Sequence, residues 1–126
     1  MVNEITKNVI AAFSSFTIEE NISDRQETRY DFEHPLMADD YYMEIVYDKI
    51  VDKYKVEAHF NGKIIFPDRE MEKNYSSWAL NQYGIYYEQE YGEYWLETGW
   101  VDLKEVGAKV RDMIKVANDF SVYCVW

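Results

Sequence analysis

Residues 84–101 (GIYYEQEYGEYWLETGWV) constrain the fold more than any other part of the chain, because polar and apolar residues alternate on both sides of a central glycine. Tyrosine and tryptophan favour the pleated surface of a β-strand. Gly92 followed by Glu93 matches the pattern of a two-residue type II′ turn. The sequence therefore predicts a β-hairpin in which Tyr91 is paired with Tyr94.

The predicted hairpin divides its side chains into two sets, since directly opposed residues share a face. One set is mostly apolar or aromatic and is expected to form the buried face: Ile85, Tyr87, Tyr91, Tyr94, Leu96 and Trp100. The other combines acids with aromatic rings and comprises Tyr86, Glu88, Glu90, Trp95 and Glu97. This second face is either an ordinary solvated surface or a binding surface. Its aromatic residues favour binding, because tyrosine and tryptophan are enriched at protein interfaces.

The remaining pattern predicts an α+β fold in a single domain over residues 1–126, with helices mainly on one side of a largely antiparallel sheet. Apolar residues at helical spacing predict three helices, over residues 4–15, 69–83 and 102–117. We expect six or seven strands, including residues 17–22, 25–33, 41–51 and 54–60. Asn61-Gly62 predicts a second hairpin, with a type I′ turn that pairs Phe60 with Lys63.

The C-terminal segment, residues 120–126 (FSVYCVW), is almost wholly apolar. Strands buried on both faces have such sequences, so an interior position in the sheet is expected. Cys124 is the only cysteine, which excludes an intramolecular disulfide and predicts a small core residue. With no leader-like start and no run of 18 apolar residues, we expect a protein of the cytosol, either bacterial or that of a phage-infected host.

The net charge of −11, from 24 acidic and 13 basic residues, argues against direct binding to nucleic acid or to an anionic membrane. It is compatible with a basic protein partner whose approach is steered by charge. Residues 68–101 contain seven acids and two bases, so the predicted hairpin and the helix before it are the most acidic part of the chain.

No pattern of catalysis or cofactor binding is apparent. Nucleophilic catalysis needs an activated Ser or Cys beside a base, and Cys124 has no such setting. His34 and His59 lack a neighbour at metal-ligand spacing. The five glycines do not form a phosphate-binding loop. The sequence therefore predicts no catalytic residues, no cofactor and no metal.

Alternate residues on one face of a strand lie about 6.5–7 Å apart. Successive phosphates of one DNA strand are separated by a similar distance, because the backbone winds around the helix axis and the path between phosphates is longer than the axial rise. The acidic face could thus occupy phosphate sites on a basic protein, with aromatic anchors. The leading hypothesis is a non-enzymatic inhibitor of a nuclease or defence effector, of the immunity, anti-restriction or anti-CRISPR type. Its predicted partner-binding residues are Tyr86, Glu88, Glu90, Glu93, Trp95, Glu97, Asp68, Glu70 and Glu72.

Two alternatives remain open. A small structural or assembly module, for example a phage virion component, would act through contacts between its own copies. A small-molecule enzyme would need a deep pocket with converging polar groups. The oligomeric state is not predicted.

Overall fold

Three helices pack on one side of a six-stranded antiparallel sheet in the computed structural model, which describes residues 2–9 and 15–126. The sheet order is β1-β2-β3-β4-β7-β6, and β5 pairs with β8 in a separate two-stranded sheet. The α+β fold with a largely antiparallel sheet, predicted from the sequence, is confirmed. In chain order the elements are α1 (Val2–Val9), β1 (Thr17–Ser23), β2 (Glu27–Glu33), β3 (Tyr41–Asp48), β4 (Lys53–Phe60), β5 (Lys63–Ile64), α2 (Arg69–Tyr83), β6 (Ile85–Glu90), β7 (Glu93–Thr98), a 3-10 turn (Leu103–Glu105), α3 (Val106–Ser121) and β8 (Cys124–Val125).

The core lies between the helices and the side of the sheet that we call the covered face. Alternate residues of β2, β3 and β4 point into it, because successive side chains of a strand point to opposite faces. The largest of these side chains, including Tyr30 and Phe32, are almost wholly buried. Helix α3 contributes a matching apolar stripe and packs on β4 and β7. Burial of each large apolar side chain contributes about 1.5–3 kcal/mol. The opposite side of the sheet, which the described helices leave uncovered, is called the open face.

Helix α2 begins and ends at the residues that the sequence indicated. The carboxylate of Asp68 accepts a hydrogen bond of 2.8 Å from the backbone N–H of Met71. Gly84 ends the helix in the left-handed conformation, with φ of 65°. The chain therefore turns directly from α2 into β6, and α2 packs against β6 in the helical layer.

The β6–β7 hairpin forms with a register that differs from the predicted one by two residues. Its turn residues are Tyr91 and Gly92, with φ of 50° and 79°, and Glu90 is opposite Glu93. Two successive positive φ values are typical of a type I′ turn, so the predicted type II′ turn at Gly92-Glu93 is wrong. Because the side-chain period of a strand is two, a shift of two keeps every paired residue on its predicted face. Tyr91 is instead almost fully exposed at the turn.

The second predicted hairpin, at Asn61-Gly62, does not form. Strand β4 pairs with β3 and β7, and β5 pairs with β8 at the C-terminus. Gly62 permits this arrangement, because a Cβ there would lie 2.2 Å from the backbone oxygen of Val125. The prediction of an interior C-terminal strand is also wrong. Helix α3 continues to Ser121, and β8 is a two-residue strand. Trp126, which follows β8, is 76% exposed.

The first predicted helix is present as α1, with Ile5 and Val9 in the core. Its predicted C-terminal part, residues 10–14, lies outside the described residues. Among the helices of residues 2–9 and 15–126, none combines the length and apolar character that crossing a membrane requires.

Candidate interaction surface

The open side of the β6–β7 hairpin brings together six of the nine predicted binding residues. Opposed pairs across the two strands place them on one surface. We call this surface the hairpin face; it consists of Tyr86, Glu88, Glu90, Glu93, Trp95 and Glu97. It lies at one edge of the six-stranded sheet, since β6 is the edge strand.

The other three predicted residues, Asp68, Glu70 and Glu72, lie at the start of α2 and do not extend the hairpin face. Glu72 lines a recess with Tyr87, which lies on the covered side of β6. Asp68 is engaged in capping the helix. These three acids therefore belong to the helical layer, and the hairpin face does not include them.

Four carboxylates form a row across the open face. Asp31 of β2 is opposite Glu44 of β3, Glu44 is opposite Glu57 of β4, and Glu57 is opposite Glu97 of β7. The two central side chains are nearly buried, with 6% of Glu44 and 4% of Glu57 exposed. Directly opposed like charges destabilise a sheet, so this arrangement requires compensating cations.

Those cations are supplied by the neighbouring strands. Arg29 Nη1 donates to Glu44 Oε1 at 3.1 Å and to Glu57 Oε1 at 2.9 Å. Lys55 Nζ lies 3.0 Å from Glu57 Oε2 and 3.1 Å from Glu97 Oε2. We call the connected side chains the charge network; it consists of Glu27, Arg29, Glu44, Lys55, Glu57, His59 and Glu97.

The charge network keeps Glu57 and Arg29 ionised. Burial alone would raise the pKa of Glu57, but hydrogen bonds from His59, Lys55 and Arg29 outweigh it and lower that pKa to about 2. Burial likewise opposes the charge of Arg29, and its interactions with Glu57 outweigh this and raise the pKa of Arg29. Since the Glu57 carboxylate can only accept, His59 Nε2 donates across the 2.8 Å that separates it from Glu57 Oε1.

Glu44, Glu57 and His59 also resemble a metal-binding set, because each offers a ligand atom and these atoms lie within 4.8 Å of one another. Arg29, however, already donates to the oxygens of Glu44 and Glu57 that would face an ion. Lys55 holds the other oxygen of Glu57. The geometry is that of a salt-bridge network, since a divalent cation here would have to displace the guanidinium.

The hairpin face differs from the charge network in its ionic contacts. Within the part of the chain that the structure describes, Glu88, Glu90 and Glu93 form no ion pair. Glu90 and Glu93 are opposed like charges beside the turn. Within the described chain, the acids towards the centre of the open face are therefore ion-paired, whereas these three acids at the β6–β7 edge carry uncompensated negative charge.

Aromatic rings run across the same surface. Tyr42 of β3 stacks on His59 of β4, with ring centroids 5.1 Å apart and planes inclined by 13°. His59 stacks on Trp95 of β7 at 6.3 Å and 20°. Tyr42 and Tyr86 are each nearly half exposed. The stack connects the hairpin face to the centre of the sheet.

Sequence reasoning did not find Arg29, Lys55 or His59 as members of this surface. Their signal was their alternation with buried residues in β2 and β4, which indicates only that they face away from the core. Arg29 contacts Glu44 and Glu57, and Lys55 contacts Glu97, on other strands, and the pairing of those strands is not encoded locally.

Comparisons with protein-family models, with curated proteins and with solved structures found no match to this chain.

Proposed function

We propose that this protein is a non-enzymatic inhibitor whose hairpin face binds the basic, nucleic-acid-binding surface of a nuclease or a defence effector. One observation carries the proposal: Glu88, Glu90 and Glu93, which have no ion pair among the described residues, share one face of the hairpin with Tyr86 and Trp95. A basic partner would supply the missing cations. The protein would act in the cytosol of a bacterium or of a phage-infected cell.

The chemistry of the hairpin face supports this type of partner. Its unpaired carboxylates would attract a cationic surface and increase the association rate, an effect that weakens as salt rises. Tyr86 and Trp95 lie among these acids and offer the buried anchors that dominate the energy of many interfaces. Glu88 and Glu90 are alternate residues of β6, so their separation of about 6.5–7 Å suits sites that would otherwise hold phosphates.

The proposal is tested with a variant that neutralises the three unpaired acids, Glu88→Gln, Glu90→Gln and Glu93→Gln together. The wild-type protein, immobilised, should capture a basic nucleic-acid-binding protein from a bacterial lysate at low salt and release it at high salt. The captured protein is then purified and bound to its own labelled nucleic acid. Added wild-type protein should displace the nucleic acid, and the triple variant should not.

A matched control variant carries Glu19→Gln, Glu20→Gln and Glu33→Gln. These exposed acids lie on β1 and β2 at the opposite edge of the sheet, so the net charge changes equally. The control variant should displace nucleic acid as the wild type does. Equal loss in both triple variants, or joint binding of the protein and the nucleic acid to the captured partner, would contradict the proposed surface.

Replacing Trp95 and Glu97 with alanine should also abolish inhibition. Its interpretation is less direct, because Glu97 is bound to Lys55 and Trp95 stacks on His59. Neutralising the unpaired acids leaves both contacts in place and so separates binding from stability.

A structural or assembly role is the second candidate, favoured by exposed apolar side chains around the two-stranded sheet. Ile65, Val122, Val125 and Trp126 are each more than half exposed. Apolar patches of this kind often mark contacts between proteins. This role predicts a defined oligomer in size-exclusion chromatography with light scattering, which Trp126→Ser should weaken and the hairpin triple variant should not.

A further inference from the structure

The aromatic stack of the open face ends at Trp95. Tyr42, His59 and Trp95 are directly opposed on β3, β4 and β7, which accounts for their regular stacking. The residue opposite Trp95 on β6 is Glu88, a carboxylate rather than another ring. At the next position, over β6, the indole of Trp95 is therefore beside the side chain of Glu88.

The surroundings of this position are negative. Glu88 and Glu90 have no cation bound among the described residues, and both point to the open face because they are alternate residues of β6. Glu97, by contrast, forms a salt bridge with Lys55. A planar cation that continued the stack past Trp95 would meet carboxylates that nothing within the described chain neutralises.

We infer that this position is a binding slot for an arginine side chain of the partner, with the guanidinium stacked on Trp95 and paired with Glu88. Guanidinium is planar, stacks on aromatic faces and donates two parallel hydrogen bonds to a carboxylate. An ammonium group can pair with Glu88 but has no plane with which to extend the stack. The slot therefore selects arginine over lysine. This inference rests on the proposed function and names the side chain by which the partner is recognised.

The test compares an oligo-arginine peptide with an oligo-lysine peptide of the same length, titrated calorimetrically into the full chain. The arginine peptide should bind about tenfold more tightly, as expected for a stacked cation in addition to charge pairing. Trp95→Leu and Glu88→Gln should each bring the two affinities close together. Trp126→Leu, which changes an exposed tryptophan of the other sheet, should keep the preference.

The outcomes separate the slot from the wider surface. Equal affinity for the two peptides, with both lost in the Glu88, Glu90 and Glu93 triple variant, would overturn the arginine slot and leave the proposed function standing. Peptide binding that the triple variant does not weaken, or no binding of either peptide, would overturn both. Circular dichroism of Trp95→Leu checks that the sheet remains folded. Glu88→Gln tests the slot without disturbing the fold, because Glu88 makes no ion pair in the described chain.

Discussion

Replacing Arg29 with methionine should destabilise the fold through the two carboxylates that the guanidinium holds. Methionine keeps much of the aliphatic length of arginine but carries no charge. Glu57 would retain Lys55 at 3.0 Å and His59 at 2.8 Å. Among the described residues, Glu44 would retain only His59, at 3.8 Å. The principal cost of the substitution is therefore an almost uncompensated carboxylate at Glu44, of which 6% is exposed.

The magnitude follows from the burial of these groups. Removing one partner of a buried ion pair costs about 3–5 kcal/mol. The Arg29 side chain is itself 24% exposed, so water reaches one end of the network. We therefore expect Arg29→Met to lower the free energy of unfolding by about 3 kcal/mol at neutral pH, near the lower end of that range. Urea unfolding followed by circular dichroism measures this change directly.

Lys53→Met is the matched control, because it also removes one cation from a salt bridge of the same sheet. Lys53 pairs with Asp102, and both side chains are close to half exposed. Water and salt screen such a pair, so its loss should be much smaller than that of Arg29.

A second substitution identifies the group that becomes unpaired. Adding Glu44→Gln to Arg29→Met should recover most of the lost stability, and adding Glu57→Gln should recover less, since Glu57 keeps two other donors. Equal losses for Arg29→Met and Lys53→Met would refute the reasoning. Rescue by Glu57→Gln in preference to Glu44→Gln would refute it as well.

Three further predictions concern acid stability, a close contact of helix α3 and the turn of the hairpin. The pKa of Glu57 is about 2 in the folded protein against an ordinary 4.5, so its contribution to the free energy of unfolding is present above pH 4.5 and is lost as the pH falls towards 2. Glu57→Gln should therefore reduce the acid-induced fall in the free energy of unfolding by about 3 kcal/mol between pH 4.5 and 2. Gly107→Ala would place a Cβ 2.7 Å from the carbonyl oxygen of Asn8, whereas Gly99→Ala meets nothing within 4 Å. Thermal unfolding should therefore show a loss of about 1 kcal/mol for Gly107→Ala only, after the helix propensity gained by alanine is subtracted. Tyr91 is exposed and has a φ of 50°, and asparagine tolerates positive φ in a type I′ turn better than tyrosine does. Tyr91→Asn should therefore stabilise the hairpin by up to about 1 kcal/mol. An unchanged or lower melting temperature would contradict this prediction.

The alternation of residues along the chain was sufficient to predict where most strands and helices lie and which face most of their side chains occupy. These properties depend on local backbone geometry, with periods of two and 3.6 residues. For the same reason the paired residues of the hairpin were predicted on the correct faces although its turn was misplaced. Tyr91 and Trp100, which were predicted on the buried face, lie outside the paired residues and are exposed. Glu88, Glu90 and Trp95 share a surface in either register, because the difference is two residues.

Strand pairing was decided only by the tertiary structure. Asn61-Gly62 has the sequence of a tight hairpin turn, yet β4 is paired on both sides by β3 and β7, so β5 pairs with β8 instead. The local preference of a turn contributes less than burial of a central strand within a sheet. The apolar C-terminal segment was likewise divided between the end of α3 and a short strand, because Phe120 fills the core as part of the helix.

The charge network depends on pairing at long range, since Arg29 lies 15 residues from Glu44 and 28 from Glu57. The sequence by itself determined that the chain is acidic, that its hairpin carries acids and aromatic rings on one side, and that this side faces away from the core. Only the folded sheet decided which acids find cations. It brought Arg29 and Lys55 to the buried centre, where an unpaired charge is costly, and left Glu88, Glu90 and Glu93 at an edge where water can solvate them.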